Sequence, residues 1–126
     1  MRLLLITPEQ PAIRAFRRGQ LNNFAQLTMP YLAGFVPRQH SVTLVDEVAQ
    51  RVDFETPADL VAITCNTPNA RYVYRLAAAL RARGRRVVLG GPHPTLLPEE
   101  ARPHADALVH GEAEETWPRL IEDAAR

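Results

Sequence analysis

Short, uninterrupted runs of apolar residues constrain the fold of this 126-residue chain more than any other feature. Four of them stand apart in the sequence: Leu3–Ile6, Leu60–Ile63, Val87–Leu89 and Ala107–Val109. Runs of this length without polar alternation are typical of strands buried on both faces, as in a parallel sheet. A fifth run, Val42–Val45, contains a threonine and predicts an edge strand that is exposed on one side.

Helical patterns separate these strands. After Thr67 and Pro68, a cap and a first-turn proline, an apolar stripe extends from Ala70 to Leu80. Gly84 then predicts a left-handed end to that helix. Further helices are expected over Leu27–Val36, over Leu96–Arg102 and, after a preliminary turn at Glu112–Thr116, from Pro118 onwards.

The alternation of strands and helices predicts one domain over residues 1–126. Its expected fold class is α/β, with a doubly wound, five-stranded parallel sheet and helices on both faces. Residues 7–26 are expected to form a long irregular loop, and such loops are usually functional or disordered. The link from Val45 to Leu60 is expected to hold little more than a turn.

Composition excludes several classes of function. The formal net charge is +1, so no strong field attracts nucleic acid or a membrane surface. The fifteen basic residues are all arginine, which excludes Schiff-base chemistry and a lysine-bearing phosphate loop. The single cysteine, Cys65, excludes an internal disulfide and fits a reducing, cytoplasmic location. No apolar run is long enough for a membrane span or a signal peptide.

Candidate ligand-binding residues follow the predicted strands, because open parallel sheets bind ligands at the carboxyl ends of their strands. They share small, polar or backbone-exposing character. In chain order they are Thr7, Pro8, Thr64, Cys65, Asn66, Thr67, Gly90, Gly91, His93, Thr95, Gly111 and Glu112.

Each candidate has a structural alternative. Gly90 and Gly91 allow a bulky ligand close to the backbone, or serve a turn that needs positive φ. The glycines do not form the G-x-G-x-x-G pattern, which disfavours a dinucleotide site of that kind. His93, held between two prolines, either contacts a ligand or lies exposed in a loop. No pair of histidines has metal-ligand spacing.

The other polar candidates are equally open. Cys65 is a packed, inert thiol or a nucleophile, and no histidine is adjacent in sequence to favour the second. The threonines at 64 and 67 suit hydrogen bonds to a ligand or helix capping. Glu112 faces a ligand or complements the positive end of a helix. Three roles are open for the arginines at 14, 17 and 18. They could bind an anion, lie in a solvated loop or form a face for another domain.

Four segments together resemble one known family. They are LVDE after the second strand, DLVAITCNT at the third, RGRRVVLGGPHPTLLPEEA at the fourth and ADALVHGEAEETWPRLIED at the fifth. They resemble the N-terminal cobalamin-binding domain of cobalamin-dependent radical-SAM enzymes, over about residues 27–123. Each motif alone is weak, but GGPHPT followed by GEAE is fairly specific.

The resemblance implies a flavodoxin-like sheet of order 2-1-3-4-5 and a role for each matched segment. The corrin ring would lie over the carboxyl edge of the sheet, and its nucleotide tail would enter a crevice beside Thr64, Gly90 and Gly91. The implied rim is formed by Asn66, Thr67, His93, Thr95, Gly111 and Glu112. Thr7, Pro8 and Cys65 complete the expected cofactor-binding set, and the cobalt is carried by the corrin.

Two departures from the family refine this expectation. Many cobalamin domains carry Asp-x-His-x-x-Gly after the first strand, but residues 7–26 contain no histidine. Cobalamin is therefore expected without a histidine lower ligand. One cysteine cannot supply the three that hold a [4Fe–4S] cluster, so S-adenosylmethionine and the cluster would belong to a separate radical-SAM domain. The chain is expected to be a fragment or stand-alone module that presents cobalamin to that domain for methyl transfer or related radical chemistry.

Other functions remain as alternatives. A flavodoxin-like nucleotide or flavin binder would use the same crevice. A structural domain would instead show an exposed apolar patch and no ligand at the sheet edge. A receiver-type signalling domain needs an acidic cluster after the first strand and a lysine after the fifth, and the sequence has neither.

Overall fold

The computed structural model describes residues 1–19 and 26–126 of the chain. The part of the predicted loop at 20–25 and the side chain of Arg18 lie outside the described residues. The strands are β1 (Arg2–Thr7), β2 (Ser41–Asp46), β3 (Leu60–Thr64), β4 (Arg86–Gly90) and β5 (Ala107–Leu108). The helices are α1 (Pro11–Arg18), α2 (Thr28–Ala33), α3 (Ala70–Ala82), α4 (Pro92–Leu96), α5 (Pro98–Ala101) and α6 (Thr116–Ala125).

The strands form one five-stranded sheet in the order β2-β1-β3-β4-β5, and each neighbouring pair is parallel. The predicted fold class and strand order are confirmed. All five strands therefore end at one edge, here called the carboxyl edge. The link between β2 and β3 contains turns and no helix, as expected.

Alternate side chains of the central strands enter two separate cores. On one face Leu4, Ile6, Val61 and Ile63 pack with the apolar stripe of α3. On the other face the core contains Met29 of α2, Trp117 and Ile121 of α6, and strand residues that include Leu3, Leu5 and Leu60. Burial on both faces explains why these strands show continuous apolar runs.

The prediction that residues 7–26 form only an irregular loop is wrong, because α1 occupies Pro11–Arg18. Pro11 stands at the start of this helix, where its fixed φ is favourable and its missing N–H costs nothing. An extended Gln10 precedes the helix, and Gly19 follows it. The proline and the glycine were therefore the sequence signals for a helix.

Proline also shifts other predicted boundaries. Instead of one helix over Leu96–Arg102, the chain forms α4, α5 and a 3-10 turn at Arg102–His104, each with proline in its first turn. The last helix begins at Thr116 rather than at Pro118. Gly84 has φ +76°, which confirms the left-handed end expected after α3.

Candidate functional site

A cleft opens at the carboxyl edge between the sheet and helices α2 and α6. Its volume is about 240 Å³. Its walls come from four parts of the chain: α2, the ends of β3 and β4, the segment after β5, and the first turn of α6. The lining residues are Thr28, Met29, Tyr31, Leu32, Ala62, Ile63, Thr64, Val88, Gly90, Gly91, Val109, Gly111, Glu112, Ala113, Glu114 and Trp117.

Small side chains on two adjacent strands make room for the cleft. Thr64 pairs with Gly90, and Ala62 pairs with Val88, in the parallel register of β3 and β4. Because side chains alternate along a strand, all four of these residues face α2 and α6. Gly90 contributes no side chain, so the wall recedes where the two strands end. A Cβ at Gly90 would lie 3.5 Å from Cβ of Val109, inside the lined space.

Trp117 of α6 forms the opposite wall of the cleft and contacts α2. Trp117 is buried and is among the largest buried side chains among the described residues. Its indole N–H donates to the carbonyl oxygen of Leu32 at 3.2 Å, which ties α6 to the end of α2. Met29 and Tyr31 extend this wall. Neither Trp117 nor the helix predicted over Leu27–Val36 was among the residues expected at the site.

Gly91 forms the sharp corner after β4. Its φ is +101°, and a Cβ there would lie 2.8 Å from the carbonyl oxygen of Cys65. The backbone is pinned on both sides of this corner: the Cys65 N–H donates to the Gly90 carbonyl at 2.8 Å, and the His93 N–H donates to the Cys65 carbonyl at 3.1 Å. Gly91 therefore makes the turn that needs positive φ, while Gly90 leaves space in the cleft.

Thr95 joins the two glycine corners at the mouth of the cleft. Its hydroxyl donates to the carbonyl oxygen of Gly91 at 2.8 Å and accepts from the N–H of Gly111 at 2.9 Å. Gly111 has φ +63°, so the chain turns sharply there toward Glu112. Thr95 thus positions both corners without lining the cleft itself.

His93 lies outside the cleft, although the sequence analysis placed it at the rim. It is 3% exposed, and both ring nitrogens are engaged. Nδ1 lies 3.1 Å from the Thr67 hydroxyl, and Nε2 lies 2.9 Å from a carboxylate oxygen of Glu100. Glu100 also accepts from the hydroxyl of Tyr74 on α3. Hydrogen bonds to His93 and Tyr74 lower the pKa of Glu100. The histidine therefore connects the segment after β4 to the α3 side of the sheet.

The remaining predicted site residues fall into two groups. Thr64, Gly90, Gly91, Gly111 and Glu112 line the cleft. The others lie near the carboxyl edge without lining it: Thr7, Pro8 and Cys65 are buried, and Asn66 and Thr67 are exposed.

Cys65 is buried in the core on the α3 face, and burial raises the pKa of its thiol to about 11. We expect almost no reaction with a disulfide reagent at about pH 8, because the reactive thiolate is scarce and inaccessible. Complete labelling is expected after unfolding in guanidinium chloride. Reaction of the folded chain at the rate of a free thiol would contradict this placement.

Within the described residues, no helix is long and apolar enough to cross a membrane. The same part of the chain holds no group of three or more histidine, cysteine, aspartate or glutamate side chains arranged to bind a metal ion.

The family model for the B12 binding domain matches residues 25–121, which include all of the cleft's lining residues. The chain belongs to the B12-binding domain family. The resemblance seen in the sequence motifs is confirmed at this level.

Curated relatives of this B12-binding domain are methyltransferases. It is 40% identical over 100 residues to the bacteriochlorophyllide d C-8(2)-methyltransferase of Chlorobaculum tepidum, covering 79% of this chain and 22% of that protein. It is 33% identical over 126 residues to the C-12(1)-methyltransferase of the same organism, covering 98% of this chain and 27% of that protein. The chain thus spans about a quarter of the length of these relatives.

A third methyltransferase and a solved structure extend the comparison. The 2-(S-pantetheinyl)-carbapenam-3-carboxylate methyltransferase of Streptantibioticus cattleyicolor is 33% identical over 108 residues, which are 82% of this chain and 16% of that protein. The response regulator protein TrrA of Thermotoga maritima superimposes with a TM-score of 0.55 at 16% identity, covering 98% of this chain and 96% of that one. At this identity the likeness shows the flavodoxin-like fold alone.

Proposed function

We propose that this B12-binding domain holds cobalamin with its nucleotide tail in the cleft and its corrin ring across the carboxyl edge. The observation that supports this most directly is the receding wall at Thr64 and Gly90, opposite Met29 and Trp117. A flat heteroaromatic base fits a narrow slot with apolar walls. These residues provide that slot at the edge where ligands of open parallel sheets bind.

The chemistry of the cleft fits the rest of a nucleotide tail as well. Its deeper walls are apolar, contributed by Ala62, Val88 and Val109. Toward the mouth, the carboxylates of Glu112 and Glu114 offer acceptors for sugar hydroxyls. The cleft therefore changes from apolar to polar along its length, as the tail changes from base to ribose.

The proposal includes cobalamin without a histidine from this chain beneath the cobalt. Residues 7–26 contain no histidine. His93 has both ring nitrogens engaged, by Thr67 and by Glu100. His40 meets the amino terminus at 2.9 Å, and His104 stacks on Tyr74. The fourth histidine, His110, is exposed after β5 and does not line the cleft.

This absence of a lower ligand has a spectroscopic consequence. With the tail in the cleft and no histidine below, the cob(II)alamin complex is expected to show EPR lines without axial nitrogen superhyperfine splitting. Free cob(II)alamin at neutral pH, with its own base bound, provides the control spectrum. Nitrogen splitting in the protein complex would contradict either the placement of the tail or the absence of a histidine ligand.

We also propose that this chain presents cobalamin to a separate catalytic domain. Cobalamin, when bound, would supply the cobalt centre for methyl transfer, and the named relatives are methyltransferases. With one cysteine, this chain cannot hold a [4Fe–4S] cluster by itself, so the cluster and S-adenosylmethionine would belong to a separate radical-SAM domain. The work of this chain is to bind and orient the cofactor toward that partner.

Ligand retention separates cobalamin from the flavin alternative. The chain is mixed with hydroxocobalamin or with FMN in parallel and passed through a gel-filtration column. We expect protein fractions to keep the corrinoid absorption and to lose the flavin absorption. Colourless protein with hydroxocobalamin, or retained FMN, would overturn the proposal.

A further inference from the structure

A second cavity lies on the opposite face of the sheet, close to the same carboxyl edge. Its volume is about 160 Å³, and it is bounded by α1, the segment after β2, and α3. Val52, Phe54 and Leu76 give it an apolar floor. The cleft described above lies on the α2 and α6 face, so the two cavities flank the edge from either side.

A buried carboxylate forms one wall of this cavity. Glu47 is only 5% exposed, although it directly follows an edge strand. Its backbone N–H donates to the Thr7 carbonyl at 2.9 Å, which fixes its position at the end of β1. The Tyr72 hydroxyl lies 2.8 and 2.6 Å from the two carboxylate oxygens. The tyrosine supplies a single proton, and the Glu9 N–H donates to one carboxylate oxygen at 3.4 Å. A carboxylate has about four acceptor sites, so further sites of Glu47 remain for another donor.

Arg14 lines the same cavity. Nε of Arg14 is buried and has no hydrogen-bond partner among the described residues. A buried donor left unsatisfied is costly, and a bound group that accepts from it would remove that cost. Acceptor capacity at Glu47 and a donor at Arg14 therefore bound one small cavity.

The charges around the cavity indicate a neutral ligand group. Glu9 and Glu47 carry negative charge, Arg14 and Arg51 carry positive charge, and Glu9 forms a salt bridge with Arg17. A carboxylate ligand would face Glu47, and an ammonium ligand would face Arg14. A primary carboxamide avoids both conflicts, because its oxygen accepts from Arg14 and its NH₂ donates to Glu47.

We infer that this cavity is a carboxamide pocket that receives one amide side chain from the periphery of the corrin. The inference rests on the proposed function, because the amide is part of cobalamin. In this pocket Glu47 and Arg14 would bind the amide and so fix how the corrin ring is rotated about the inserted tail. Two anchors on opposite faces of the edge define an orientation that one anchor leaves free.

The test compares hydroxocobalamin with its derivatives in which a single propionamide is hydrolysed to an acid, each isomer assayed separately. With the parent chain, we expect at least one acid isomer to bind about tenfold more weakly than the amide, because its charge faces buried Glu47. With Glu47→Gln, that preference should shrink to about threefold or less, since glutamine donates to a carboxylate. Binding is measured by titration of the corrinoid absorption.

Two further variants complete the experiment. Arg14→Met removes the donor and should weaken hydroxocobalamin binding by about tenfold. Arg75→Leu, at an exposed position on α3, is the matched control and should leave the affinity unchanged. Thermal unfolding of each variant verifies that it is folded.

The outcomes separate this inference from the proposed function. No binding of any corrinoid to the parent chain would overturn both. Tight binding of hydroxocobalamin with the same amide-to-acid ratio in the parent and the Glu47→Gln chain would overturn the carboxamide pocket alone. Unchanged affinity in folded Arg14→Met would do the same.

Discussion

Replacement of Gly90 by leucine is expected to weaken hydroxocobalamin binding by at least about 100-fold, equivalent to about 2.8 kcal/mol. The position faces the cleft in register with Thr64, and a Cβ there already reaches van der Waals distance from Val109. The remaining atoms of leucine would fill the slot assigned to the base of the tail. Titration of corrinoid absorption measures the loss.

The substitution should leave the fold intact. Gly90 does not have positive φ, so a side chain is compatible with its backbone. Ala78→Leu is the matched control, because it also introduces leucine, at an exposed position on α3. A folded Gly90→Leu chain that binds hydroxocobalamin as tightly as the Ala78→Leu chain would show that the cleft does not hold the tail.

Trp117→Ala should cause the largest loss of stability among single substitutions in the cleft, about 3–5 kcal/mol. The indole is 1% exposed, and it packs from α6 into the core that α2 and the sheet share. Domains of this size are typically stable by about 5–15 kcal/mol, so this loss removes much of the total. Denaturant unfolding followed by circular dichroism measures it.

Trp117→Phe separates packing from hydrogen bonding. Phenylalanine keeps an aromatic ring in the core but cannot donate to the Leu32 carbonyl, a bond worth about 1 kcal/mol. We expect the phenylalanine chain to be clearly more stable than the alanine chain. Equal stability of the two would mean that the N–H bond, and not ring packing, holds α6 against α2.

The sheet could be predicted from sequence because its signal is local. Each central strand is buried on both faces, so its apolar run is continuous and short, and the helix after β3 shows a clear stripe ending at Gly84. The carboxyl-edge rule then brought Thr64, Gly90 and Gly111 to one place, and the structure lines one cleft with them. Strand order came from family resemblance rather than from the runs.

What the sequence did not predict depends on contacts between distant segments. Burial of His93 requires Thr67 and Glu100 to meet it from two other parts of the chain. The side of the cleft formed by Met29 and Trp117 likewise depends on how α2 and α6 pack. Helix α1, by contrast, had a local signal, because Pro11 marks its start. The prediction of a loop over residues 7–26 overlooked that signal.

The Thr95 hydroxyl, bonded at once to Gly91 and Gly111, has a consequence for recognition. Both glycines have positive φ, a conformation that is entropically costly to fix in a free loop. The Thr95 bonds fix both turns before a ligand binds. The conformational entropy of these two turns is therefore lost on folding and not on binding. The mouth of the cleft is preorganised, so it selects ligands by their shape.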